Sequence, residues 1–342
     1  MRFGPVPVDQ AQGAILAHSL TLRGRKLPKG VTLTADHLAA LRQAGMAVVT
    51  VARLDPGDVA ENDAAMRLAA ALVSQPGAAG IALSKPHAGR VNLNATRPGL
   101  VEFAPELIHA LNLANPALTV ATLPPLYRVA PGMLVATVKV ITYAVAGNVL
   151  DRAICNLTAE SGVIRIRPVI RHSAGLILTT LDGSPDKLTN KARAAVQARL
   201  DALGMGLAEC RIVAHDESAI ATALRDLPGE IALILTAAAT SDPEDTAPRA
   251  LRMAGGTLRR FGMPVDPGNL LFWGMQAERP VIGLPGCARS PALNGADWVL
   301  ERLACGLEPS DADIARMGVG GLLKEIPQRP QPRETGQRPN EP

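Results

Sequence analysis

The rhythm of hydrophobic positions changes near residue 170. Before that point the apolar runs are short. Residues 48–52 are β-branched, and 135–145 and 163–170 alternate apolar with polar positions, as half-buried strands do. Helical spacing appears over 35–44, with Thr34 as N-cap and Gly45 as the stop, and again over 62–73. Pro and Gly punctuate the connections at Pro28-Lys-Gly30, Pro56-Gly57, Pro76-Gly77 and Pro131-Gly132.

From residue 170 on, continuous apolar runs alternate with longer amphipathic ones. Strands are predicted at 174–180, 210–214, 231–236 and 281–284, with helices at 186–203, 217–227, 248–254 and 291–305. Residues 231–236 are apolar without interruption, as a central parallel strand requires. This succession predicts an α/β fold: a doubly wound, mostly parallel sheet over 169–307, preceded by a β-rich N-terminal domain over 1–168. Residues 308–342, rich in Pro, Gly, Gln and Arg, read as a tail or linker.

At 342 residues, 47% of them hydrophobic, the chain is long enough for two cores. Aromatics make up only 2%, so bases would find few stacking platforms. Although the net charge is +4 and the pI about 9.0, there is no basic block, and nucleic acid is not an expected partner. The longest apolar stretch, 135–150, falls short of the ~20 residues a membrane span needs, and a soluble, cytoplasmic protein is expected. The four cysteines are widely spaced, with no Cys-x-x-Cys, and read as reduced thiols.

Ligands of such sheets bind beyond the strand C-termini, so candidate chemistry lies in the loops after 180, 214, 236 and 284. The first offers Thr180, Asp182, Ser184 and Lys187; Asp182-Gly183 also reads as a turn and Ser184 as a cap. Asp216 and Glu217 open a helix, where acids favour the dipole. The third loop carries Thr236, Thr240, Ser241, Asp242 and Asp245. Its two carboxylates suit a hydrated Mg²⁺ or, alternatively, a turn and a helix cap. Ala237, Ala238 and Ala239 are a difficulty there if the loop needs positive φ, which costs alanine roughly 1–2 kcal/mol per residue. Residues 255–270 read as a Pro/Gly-rich loop. Residues 283–291 supply Gly283, Pro285, Gly286 and Cys287, then Arg289 as a phosphate ligand and Ser290 as the cap of a helix starting at Pro291.

Gly283-Leu-Pro-Gly286 after a buried strand, with Asp245-x-x-Pro248 upstream, resembles the molybdopterin-binding domain of molybdenum-cofactor biosynthesis proteins over about residues 170–306. The likeness is partial, because Ala237, Ala238 and Ala239 stand where that family carries glycines. It implies molybdopterin, or its nucleotide adduct, as ligand. It further implies Asp182, Asp216 and Asp245 as the catalytic acids, with Mg²⁺ at Asp242 and Asp245. Thr180, Ser184, Thr236, Thr240, Ser241, Gly283, Pro285, Gly286, Arg289 and Ser290 would bind the pterin phosphate. The implied chemistry is adenylyl transfer or molybdate insertion; the alternative is a scaffold that has lost the ligand. A homo-oligomer is expected, with a nucleotidyltransferase or a molybdoenzyme as partner.

Overall fold

The computed structural model describes residues 1–157, 163–181, 186–266 and 268–322, with side chains left out for 186–188. The chain forms two compact units, Met1–Pro168 and the remainder from Val169. No helix among the described residues is long and apolar enough to cross a membrane.

The first unit is built from short antiparallel strands. β5 (Val48–Arg53) is flanked by β1 (Arg2–Pro7) and β2 (Ile15–Leu16), and a hairpin joins β3 (Leu20–Leu22) to β4 (Arg25–Leu27). With α1 (Ala35–Gln43), these segments enclose a small core of Val8, Leu16, Leu33, Leu38, Leu41 and Val51. Thr34 caps α1 as expected, its hydroxyl accepting from His37 N at 3.4 Å. β6 (Asp58–Ala60) pairs with β13 (Ala144–Ala146).

A second sheet runs β10 (Leu118–Thr122), β12 (Leu134–Val140), β8 (Arg90–Ala95), β7 (Ile81–Leu83). A third runs β11 (Arg128–Val129), β9 (Gly99–Glu102), β14 (Arg165–Pro168). The helices of this unit are α2 (Glu61–Leu72), α3 (Pro76–Ala79), α4 (Pro105–Ala114) and α5 (Gly147–Cys155). The single strand expected over 135–145 is two strands in two different sheets. The chain leaves the first at Val140 and enters the second at Ala144.

The second unit centres on six strands: β15 (Ser173–Thr180), β16 (Gly206–Ala214), β17 (Ile231–Leu235), β18 (Thr257–Met263), β19 (Asn269–Gln276) and β20 (Arg279–Leu284). They order as β16-β15-β17-β20-β19-β18. The first four are mutually parallel, and the last two are an antiparallel hairpin. That hairpin corrects the sequence expectation, which took residues 255–270 for a loop.

Every residue of β17 is buried, as its unbroken apolar run predicts for an interior strand. Helices α7 (Glu217–Asp226) and α8 (Thr246–Met253) pack on each other and over Ile177, Ala232, Ile234, Phe272 and Val281. Helices α6 (Asp186–Asp201) and α9 (Gly295–Ala304) are joined by the ion pair Arg199–Asp297. A last helix, α10 (Asp311–Arg316), follows.

Candidate functional site

Strand register fixes which loops meet. Thr180 pairs with Ala214, Leu178 with Leu235 and Leu235 with Leu284, so the segments that follow these strands leave along one edge of the sheet. The hairpin adds a fifth. Phe272 pairs with Gly283 and Gln276 with Arg279, which carries Asn269 and the connection before it to the same edge. Of the residues singled out in sequence, Asp182 and Ser184 lie outside the described residues, as does the side chain of Lys187.

A residue that the apolar run concealed, Thr179, knits this edge together. Its buried hydroxyl accepts from Ala237 N at 2.7 Å and meets His215 Nδ1 at 3.0 Å, while His215 N donates to Thr180 O at 3.0 Å. Three strand ends are thereby tied at one hydroxyl. Thr180 itself reaches Val213 O only at 3.5 Å.

Beyond β17 the buried Thr236 donates to Ala238 O at 2.7 Å and lies 3.4 Å from the buried Thr240 hydroxyl. None of Ala237, Ala238 and Ala239 adopts positive φ, so the missing glycines cost this loop no strain. Ala238 and Ala239 are exposed, and their N–H groups are engaged by nothing among the described residues. On the side of β20, Arg289 donates through Nη2 to Thr236 O. Burial lowers the pKa of this guanidinium, which stays protonated all the same. A charge held at a desolvation cost against the loop that also carries these N–H groups suits an anion.

The candidate acids in the described loops are caps. Asp216 is the N-cap of α7, accepting from Ala219 N at 2.9 Å and from the Ser218 hydroxyl at 2.5 Å. Asp245 is the N-cap of α8; its carboxylate accepts from Ser241 N at 2.9 Å and Thr246 N at 2.7 Å. Asp242 accepts from Glu244 N at 2.7 Å. Among the described residues no group of three or more His, Cys, Asp or Glu is placed to hold a metal.

These hydrogen bonds depress two carboxyl pKa values. The Ser218 hydroxyl is the main cause at Asp216, and Ser241 N at Asp245, where nearby His215 adds to the effect. A depressed folded-state pKa contributes stability above the unfolded value of about 4, and that stability is lost as pH falls through the folded value. The double variant Asp216→Asn, Asp245→Asn keeps competent caps. It should therefore lose stability less steeply below about pH 4 than the native chain, in urea titrations across that range. Parallel acid limbs would remove both caps from this account.

The Pro285–Asn294 loop departs most from expectation. Gly286–Arg289 form one 3₁₀ turn, and α9 starts at Gly295 rather than Pro291. Ser290 is not the cap: its hydroxyl accepts only from Ala292 N, at 3.3 Å. Asn294 caps instead, reciprocated by Asp297 Oδ2 accepting from Asn294 N at 2.7 Å, because the apolar helical face begins only at Ala296. The buried Asn294 amide also receives Asn269 Nδ2 at 3.0 Å and donates to Cys287 Sγ at 2.8 Å. Cys287 is thus an exposed thiol held at a turn.

Arg199 holds the loop from behind. It donates to Asp297 Oδ1 (2.5 Å), Ala288 O (2.9 Å), Ser290 O (2.8 Å) and Ala292 O (3.1 Å). Gly283 serves packing: a Cβ there would lie 1.9 Å from the Phe272 ring. Pro285 is buried and Gly286 exposed.

A family model described as a domain of unknown function, DUF8806, matches residues 5–53, the segment that carries β1 through β5. No curated protein matches. Among solved structures, one similar chain is the molybdopterin biosynthesis moea protein from Pyrococcus horikosii, at 12% identity and TM-score 0.30, covering 89% of this chain and 76% of that one. Another is a molybdenum cofactor biosynthesis protein from Pyrococcus furiosus, at 12% identity and TM-score 0.24, covering 92% of this chain and 65% of that one. TM-scores of this size do not establish a shared fold.

Proposed function

We propose that the second unit binds a phosphorylated pterin, molybdopterin or its nucleotide adduct, at the C-terminal edge of its parallel strands, as a step in molybdenum-cofactor assembly. One observation carries the reading. Arg289 holds Thr236 through its carbonyl, Thr179 holds Ala237 through its N–H, and the exposed Ala238 and Ala239, whose N–H groups have no partner among the described residues, follow directly at the end of β17. N–H groups and an arginine are what a terminal phosphate needs. Thr240, Ser241 and the Gly286–Arg289 turn supply polar groups for the pterin edge. The reading takes the sheet as doubly wound, with α7 and α8 on one face and α6 and α9 on the other, and the Arg199–Asp297 link supports that layering.

Binding without chemistry is the form the geometry favours. Asp216 and Asp245 each accept hydrogen bonds as helix caps, a structural role that accounts for both carboxylates without adenylyl transfer or molybdate insertion. Mg²⁺ fits as a hydrated ion brought by the phosphate. Asp242 and Asp245 keep lone pairs beyond the backbone groups they cap and can accept from its waters.

The test is titration of purified protein with molybdopterin, followed by heat and by pterin fluorescence retained after gel filtration. Arg289→Ala should weaken binding about 10–100-fold, the worth of a charge-assisted contact. Retention unchanged in that variant, or none in the native chain, overturns the reading.

A further inference from the structure

We propose that the first unit carries an anion site of its own, for a phosphate group free or at the end of a small molecule, in the cavity beside the β7–β8 turn. The cavity measures about 500 Å³ and is lined by Ser84, Lys85, His87, Arg90, Asn92 and Lys139. Its lining holds three permanent cations, one histidine and no acid.

The turn at its rim is rigid. His87 and Arg90 exchange both backbone hydrogen bonds at 3.0 Å, and the two residues between them, Ala88 and Gly89, have φ of 46° and 68°. This is the primed hairpin turn, in which an alanine at the first central position is strained. Asn62 Oδ1 accepts from Gly89 N at 2.8 Å, Gly89 O accepts from Val140 N at 2.8 Å, and Lys139 Nζ donates to Ala88 O. A Cβ at Gly89 would lie 2.6 Å from Val140 O, so only glycine permits this approach.

The charges conflict until an anion arrives. Arg90 lies directly opposite Lys139 across β8 and β12, and opposite His87 across the turn. Like charges facing each other across antiparallel strands destabilise the pair. The side chains of Lys85, His87 and Arg90 make no hydrogen bond or ion pair among the described residues. Glu61 is the acid that acts on Lys139 and His87, and it does not line the cavity. Asn92 spends Oδ1 on the Thr137 hydroxyl at 3.1 Å and keeps its NH₂ for a ligand. Arginine, lysine and amide donors around one strained turn match a tetrahedral oxyanion better than a carboxylate.

The experiment uses the full chain in low-salt buffer, titrated with inorganic phosphate and with ribose 5-phosphate, read by calorimetry and by the rise in melting temperature. We expect Kd below about 1 mM, at least tenfold weaker in Arg90→Gln and unchanged in Lys26→Gln, an exposed cation of the same unit that does not line the cavity. Lys139→Gln is the second variant, used wherever Arg90→Gln fails to fold. Ribose 5-phosphate binding more tightly than phosphate identifies a small-molecule phosphate, and equal affinities identify the free ion; both support the site. Silence with both probes overturns it. So does binding kept in Arg90→Gln and lost in Arg289→Ala, which would move the anion to the second unit.

Discussion

Arg199→Ala should destabilise the second unit by about 3–5 kcal/mol, the cost of stripping one partner from a buried ion pair. Its side chain and that of Asp297 are 8% and 11% exposed, so the carboxylate left behind would be desolvated with no cation beside it. Three carbonyls of the 288–292 segment would lose their donor in the same step. Both tryptophans, Trp273 and Trp298, lie in this unit, so their fluorescence during urea unfolding reports on it. Arg199→Lys keeps the charge without the five-donor fork and should fall between the two. Arg199→Met with Asp297→Asn removes charge from both sides and should recover part of the loss. A shift below about 1 kcal/mol for Arg199→Ala would place the loop's stability elsewhere. The consequence for binding is direct: Arg289 sits in the segment Arg199 holds, so Arg199→Ala should also weaken pterin retention.

What the chain discloses before folding depends on how local each cause is. The runs at 174–180, 231–235 and 281–284 are apolar because those strands are buried on both faces, and their parallel pairing follows from the helices between them. Asp245 was legible as a cap and Asp216 as an acid at a helix start, since the partners of each lie within four residues. The β18–β19 hairpin was not. β18 is an edge strand whose Arg259-Arg260 pair breaks the apolar signal, and the turn at Asp266 and Gly268, both at positive φ, reads as a loop. In the first unit, strands of two or three residues are too short to show a period.

The Ser290-Pro291 pair was a plausible helix start. Asn294-x-x-Asp297 was the true one and could have been found, since it matches the reciprocal capping pattern just ahead of an apolar run. Thr179 and Arg199 could not have been found locally. One is a hydroxyl in an apolar strand and the other a cation in a polar helix, and both act on residues 36 to 98 positions away. The loops of the candidate site were therefore legible, while the groups that hold them together were not.

The last of the expected results separates packing from binding within Gly-Leu-Pro-Gly. Gly283→Ala should cost about 1–3 kcal/mol in urea unfolding, because the new methyl would meet the Phe272 ring at 1.9–2.5 Å and that ring, 1% exposed, has nowhere to swing. Phe272→Leu in the same chain opens the space, so the double variant should be more stable than the sum of the single losses predicts, by at least ~1 kcal/mol. Additive losses, or a neutral Gly283→Ala, would sink the steric account. Gly286 behaves oppositely. A Cβ there meets nothing within 4 Å and its φ is not positive, so Gly286→Ala should leave stability unchanged within about 0.5 kcal/mol. Its side chain would instead project from an exposed position in the turn that carries Arg289. Loss of pterin retention in Gly286→Ala, with unfolding unmoved, would assign the second glycine of the motif to the ligand and the first to the core.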